Sequence, residues 1–289
     1  MIWGRRALQH VKRFKRLPFQ PEGLHRCMSA ATQNLVVEMD GKSGVAVVKL
    51  NKPPVNSFNL EFLTEINILM EKLENDKSCR GLILTSNNNK IFSGGLDIME
   101  MYNPQPDRLA EFWRTLQGMW LSLYGSRLAT IAAINGHSPA GGCLTALSCD
   151  YRIMAPGFTI GLNETQLGII PPFWFVESMI NVTGQRQAEV CCQKGLMMTT
   201  EQAHSIGLVD DVVPGEAILE RAHNEMKNWL KVPDFARQLT KRQIRKPTMD
   251  RLIAKRDEDI QNFVQFITKD SVQKAMGVYI DQLKNKAKK

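Results

Sequence analysis

Three short stretches of this 289-residue chain carry residue types suited to chemistry beside a carbonyl. One is a glycine pair, Gly141 and Gly142, placed to open a short apolar helix after the strand-like run Ala129–Ile134. Free backbone N–H groups and the positive end of the helix dipole can hold an anion at such a start. Another is Glu164, between Leu162 and Leu167-Gly168-Ile169-Ile170, where burial would raise its pKa and make it a usable proton carrier. The last is a second glycine pair following a strand, in Ile91-Phe92-Ser93-Gly94-Gly95-Leu96-Asp97. Donors converging on one oxygen, together with one base, describe a site that holds an enolate. Either glycine pair taken alone reads as an ordinary turn.

These stretches need a frame, and the hydrophobic pattern provides one. Leu35–Met39 and Val45–Leu50 flank Asp40-Gly41-Lys42-Ser43-Gly44, a hairpin signal. Lys52-Pro53-Pro54 ends the second strand. Ser57 or Asn59 is then placed to cap a helix with Leu60, Leu63, Ile66, Leu69, Met70 and Leu73 at helical spacing. Gly81–Thr85 predicts a buried strand. Asp107–Tyr124 predicts a long helix whose stripe of Phe112, Trp113 and Trp120 belongs in the core. The alternation of strand and helix predicts an α/β fold of right-handed βαβ units. Helices are expected at Gly184–Gly195 and Thr200–Gly207, and a last strand at Leu208–Val213. The tail from Gly215 reads as helical, punctuated by Pro233 and Pro247.

Composition narrows the function. The formal charge is +8, but residues 1–30 hold seven Lys/Arg against one acid, so the leader carries +6 and the rest only +2. A nucleic-acid-binding body is therefore not expected. The leader spaces its arginines and lysines between Ile2, Trp3, Leu8, Val11 and Phe14. That fits an amphipathic mitochondrial presequence cleaved near Arg26–Ala31, and hence a mitochondrial matrix protein; a basic arm for RNA or anionic lipid is the alternative. A hydrophobic content of 43% can bury a large core. No apolar run approaches the ~20 residues of a membrane span. The six cysteines contain no Cys-x-x-Cys and read as buried thiols, and the five histidines show no ligand pairing, so no metal site is expected. Gly136-His137-Ser138-Pro139-Ala140 departs from a hydrolase nucleophile elbow at its fifth position, and Pro139 removes the donor that should follow the serine.

Phe92-Ser93-Gly94-Gly95-Leu96-Asp97, Asn135-Gly136, Ala140-Gly141-Gly142-Cys143, Cys149-Asp150-Tyr151-Arg152, Asn163-Glu164 and Gly207-Leu208-Val209 occur in this order. With this set, Leu35–Leu283 resembles the enoyl-CoA hydratase/isomerase (crotonase) superfamily, and its isomerase branch most of all. The resemblance implies a crotonase-type spiral of ββα units with a helical C-terminal region. The parts would be a presequence (1–30), a core domain (31–215) and a helical region (216–289) that builds a homotrimer and covers the neighbour's site. It also implies an oxyanion hole from the N–H groups of Leu96 and Gly141, with Glu164 catalytic. Substrate contacts fall on Gly94, Gly95, Leu96, Asp97, Ile98, Gly141 and Asn163. The substrate would be a fatty acyl-CoA threaded between the two glycine loops, with no cofactor besides the CoA it carries. Phe173, Trp174 and Phe175 would line the acyl pocket or pack the core, and Lys274 would meet the CoA phosphates. Hydratases of this superfamily carry a second glutamate where this chain has Leu144. One carboxylate, expected to be ionised at rest, suits moving a proton from C2 to C4. A hydratase, and a crotonase-like binding protein without catalysis, are the alternatives.

Overall fold

The computed structural model describes residues 34–287, so the expected presequence lies outside the described residues. In chain order the strands are β1 (Leu35–Asp40), β2 (Val45–Leu50), β3 (Gly81–Ser86), β4 (Ala129–Ile134), β5 (Ser138–Pro139), β6 (Tyr151–Met154), β7 (Thr159–Gly161), β8 (Met198–Thr199) and β9 (Asp211–Val212). The helices are α1 (Leu60–Asn75), α2 (Pro106–Tyr124), α3 (Gly141–Ser148), α4 (Phe173–Thr183), α5 (Gln185–Lys194), α6 (Thr200–Ser205), α7 (Ile218–Lys231), α8 (Asp234–Ala254), α9 (Arg256–Ile267) and α10 (Asp270–Ala287).

The main sheet runs β1-β2-β3-β4-β6-β9. Its first pair is the expected antiparallel hairpin, and every later pair is parallel. The hairpin turn closes on Asp40, whose carboxylate accepts from Lys42 N and Ser43 Oγ. Strands β3 and β4 are buried along their whole length, as a parallel sheet covered on both faces requires. Alternate residues serve opposite faces. Ala46, Val48, Leu82, Leu84 and Ala132 join the cluster under α1 and α2, whereas Val45, Val47, Ile83, Ile131 and Ala133 meet Ile218, Ala222 and Met226 of α7. Helix α7 lies beyond residue 215 in sequence, yet it covers the second face of the sheet. A small second sheet, β5-β7-β8, stands beside the first.

Asn59 caps α1, its side chain accepting from Phe62 N. The stripe on α2 packs the core as expected. Trp113 stacks on Phe263 at 3.5 Å between ring centroids, and Trp120 lies 5.3 Å from Trp174. Trp174 and Phe175, candidates for a pocket wall, are instead buried in this aromatic cluster. Phe173 opens α4 beneath the Arg251 guanidinium. The expected strand Leu208–Val213 shortens to Asp211–Val212, because Leu208 N and Val209 N both close the end of α6 on Ala203 O. Pro233 does punctuate the tail at the start of α8, but Pro247 does not break that helix. Pro247 is exposed, and Lys241 and Thr248 on either side of it are buried anchors. The five described cysteines are free and buried.

Candidate active site

The loop Phe92–Asp97 spends every backbone N–H but one. Phe92 N and Ser93 N donate to His137 O, Gly94 N to Val55 O, Gly95 N to Ser93 Oγ and Asp97 N to Phe58 O. The Leu96 N–H has no acceptor among the described residues. Its direction is set one atom away. Gly95 O accepts from Phe58 N at 2.8 Å, and in a planar trans peptide the N–H of the same unit points the opposite way. That direction faces the start of α3.

There the second donor is built by the same rule. Ala140 O accepts from Leu144 N at 3.0 Å, the first bond of α3, so the Gly141 N–H points out of the helix start. Ala140 takes φ +48°, ψ −118°, a conformation that an L side chain adopts only at a cost. Its ψ turns the Ala140–Gly141 peptide toward the first loop. A β-carbon on Gly141 would lie 3.3 Å from Leu96 N, and one on Gly95 would lie 3.1 Å from Gly141 N. The two loops therefore meet where no side chain fits, with two uncommitted donors side by side.

The base follows the adjoining strand, β7. β5 pairs with β7, and Ala140 N donates to Gly161 O at 2.8 Å, so the segment that leads into Glu164 is bonded to the segment that leads into Gly141. Glu164 begins a single 3-10 turn, Glu164–Leu167. Gly168 at φ +71° ends it, Ile169 N returns to Glu164 O, and Thr165 Oγ1 ties the turn to Cys192 O of α5. The Glu164 side chain is buried, and neither carboxylate oxygen has a hydrogen-bond partner among the described residues. Burial pushes its pKa up from 4.5 to about 7. It thus works against the ionised resting form that was expected. The Cys143 and Cys192 thiols nearby are pushed up too, first by burial and then by the Glu164 charge. Asn163 Oδ1 is another buried acceptor without a partner.

The other buried carboxylates are occupied. Glu100 accepts from Arg108 and from Leu60 N, and Asp150 is held by Lys241 and Arg245. Leu144 lies wholly within the apolar core, and the next residue, Thr145, donates to Gly141 O at 2.8 Å. The structure thus brings Gly94, Gly95, Leu96 and Gly141 together. Asp97 it turns inward: its carboxylate accepts from Met99 N and Ser57 Oγ at 3.1 Å each and lies 3.7 Å from Lys52 Nζ. Ile98 starts a 3-10 turn, Ile98–Glu100, and is half-buried.

Helix α10 roofs this region from the same chain. Gln273 Nε2 donates to Met101 O, and its Oε1 accepts from Asn103 N. A β-carbon on Gly168 would touch Ala275 at 3.3 Å. Lys274 is exposed on the same helix. Three residues that shape the site escaped the reading of the sequence: Asn56, Ala140 and Gln273. Ala140 acts through backbone conformation, and Asn56 through that and its buried amide; only asparagine's tolerance of positive φ gave any signal. Gln273 acts through a contact 170 residues distant.

The family described as enoyl-CoA hydratase/isomerase matches residues 40–289. The chain is 52% identical over 258 residues to the mitochondrial enoyl-CoA delta isomerase 1 of Mus musculus, covering 89% of each protein. It superposes on a crystal structure of human mitochondrial delta3-delta2-enoyl-CoA isomerase with a TM-score of 0.87 at 52% identity, covering 88% of this chain and 99% of that one. An enoyl-CoA hydratase from Bacillus halodurans shares the fold, with a TM-score of 0.77 at 23% identity over 85% of this chain and 99% of the other.

Proposed function

The chain belongs to the enoyl-CoA hydratase/isomerase family, with its crotonase fold, and we propose that it is an enoyl-CoA isomerase of mitochondrial fatty-acid β-oxidation. It would convert a 3-enoyl-CoA to the trans-2-enoyl-CoA. Similarity to proteins named mitochondrial isomerases favours this over hydration, and the basic leader agrees with the mitochondrial matrix. The observation that carries the reading is Glu164: a buried carboxylate with no partner, in a chain that has Leu144 where hydratases of the family have a second glutamate.

In its ionised form Glu164 takes a proton from C2 of the substrate. The electron pair moves toward the thioester oxygen, which the Leu96 and Gly141 N–H groups receive as a dienolate. Each such donor contributes roughly 3 kcal/mol to lowering the barrier. Glu164 then returns the proton at C4. Nothing is oxidised or reduced and nothing is added, so the steps call for no cofactor. Gly94, Gly95, Ile98 and Asn163 would contact the substrate, and Asp97 would brace the loop through Lys52 and Ser57. Leu144 leaves no second acid to activate water. Glu164→Gln keeps the shape and removes the base, so turnover of a 3-enoyl-CoA should fall by at least ~10²-fold while the ester still binds. Wild-type hydration of trans-2-enoyl-CoA as fast as isomerisation, or full activity in Glu164→Gln, would refute the proposal.

A further inference from the structure

We propose that Asn56 is a positioning residue that aims the Leu96 N–H; the inference rests on the oxyanion role proposed above. The Leu96 donor points as it does because Phe58 N holds Gly95 O. Phe58 in turn ends a segment, Lys52–Phe58, that bends at Asn56. Asn56 has φ +52° and is almost wholly buried. A turn needs only the backbone conformation, yet here the whole amide is also spent. Oδ1 accepts from Lys52 N at 2.7 Å, and Nδ2 donates to Ser86 Oγ at 2.8 Å and to Phe92 O at 3.0 Å. Asn56 O accepts from Ser93 Oγ at 2.8 Å, and that same hydroxyl receives Gly95 N at 3.1 Å. Asn56 therefore grips the end of β3, the start of the donor loop and, through Ser93, the residue whose carbonyl shares a peptide with the donor. Asparagine alone meets both demands. It tolerates positive φ, and its amide both gives and accepts.

The test reads the donor directly. The carbonyl stretch of a thioester ¹³C-labelled butanoyl-CoA is recorded by infrared difference spectroscopy, free and bound to the full chain. Wild type should show a band shifted to lower wavenumber, because two N–H groups polarise the carbonyl. Asn56→Gly keeps the allowed conformation and deletes the amide; the band should move back toward its solution position and kcat should fall by about 10²-fold. Affinity for the S-butyl thioether of CoA, which lacks the oxygen, should stay unchanged, a result that a merely structural role would not give. Ser93→Ala, which cuts only the hydroxyl bridge, should shift the band in the same direction and decides the matter if Asn56→Gly does not fold. A wild-type band at the solution position would overturn the oxyanion reading itself. A shifted wild-type band that persists in folded Asn56→Gly, or in Ser93→Ala where Asn56→Gly does not fold, would overturn the role of Asn56 and leave that reading intact.

Discussion

Glu164 sets a conflict between stability and chemistry. Its folded pKa of about 7 stands above the ordinary 4.5, so the folded state favours the protonated form. Stability is complete below pH 4.5, is lost as pH climbs toward 7, and stays lower beyond it. Glu164→Gln should therefore be more stable than wild type at pH 8, by roughly 3 kcal/mol, in denaturant titrations at pH 4 and pH 8 that show the gap opening only at the higher pH. Activity should run the other way: kcat/KM for a 3-enoyl-CoA should rise with pH and reach half its plateau near pH 7. Ala140 poses a similar conflict in the backbone. Ala140→Gly should relieve its strained conformation and raise stability by about 1 kcal/mol, while turnover falls severalfold as the Gly141 donor loses its aim. Thermal melts and steady-state rates on the same samples check both halves. The residue types at this site were legible in the sequence. What it withheld was commitment: which N–H groups were already spent, and that the Asp97 carboxylate was turned inward onto Ser57 and Lys52.

At the scale of elements, α8 is fastened by charge. Lys241 Nζ lies 2.6 Å from the buried Asp150 and also donates to Leu128 O, and Arg245 reaches Asp150, Tyr124 O and Ser148 O. Burial lowers the Lys241 pKa while Asp150 raises it. Removing the anion would leave two buried cations facing carbonyls alone, so Asp150→Asn should cost about 3 kcal/mol or more by denaturant titration. The same anchoring explains why Pro247 failed as a stop signal. The carbonyl it frees lies on the exposed side of a helix already held by Lys241, Arg245 and Leu252. Strands β1 to β4 were legible because Val, Ile and Leu crowd them. The two-residue strands β5 and β8 were not, since a partner strand rather than local preference creates them, whereas β9 was expected as part of the longer Leu208–Val213. Helix α4 was missed because its aromatic start carries no polar face to reveal a helical period.

At the scale of the whole molecule, the outward side of α8 leaves Phe235 and Leu239 70% and 62% exposed, one helical turn apart. A trimer implied by the family would have use for such a face, and Leu239→Glu should then sediment as a smaller species than wild type. The family pattern pointed to late helices covering a neighbour's site, and no single chain's sequence indicates which chain a helix will cover. Here α10 lies on its own: Val272, Met276 and Ile280 are buried, and Gln273 holds Met101 and Asn103. That arrangement separates the seal from the site: α10 is the last of the described helices, whereas Leu96, Gly141 and Glu164 all precede it by several elements. A chain cut in the Thr268–Lys269 link should keep donors and base in register but admit water to Glu164. Its activity would then follow an acid-shifted profile, with the half-maximum moved from about 7 toward 4.5.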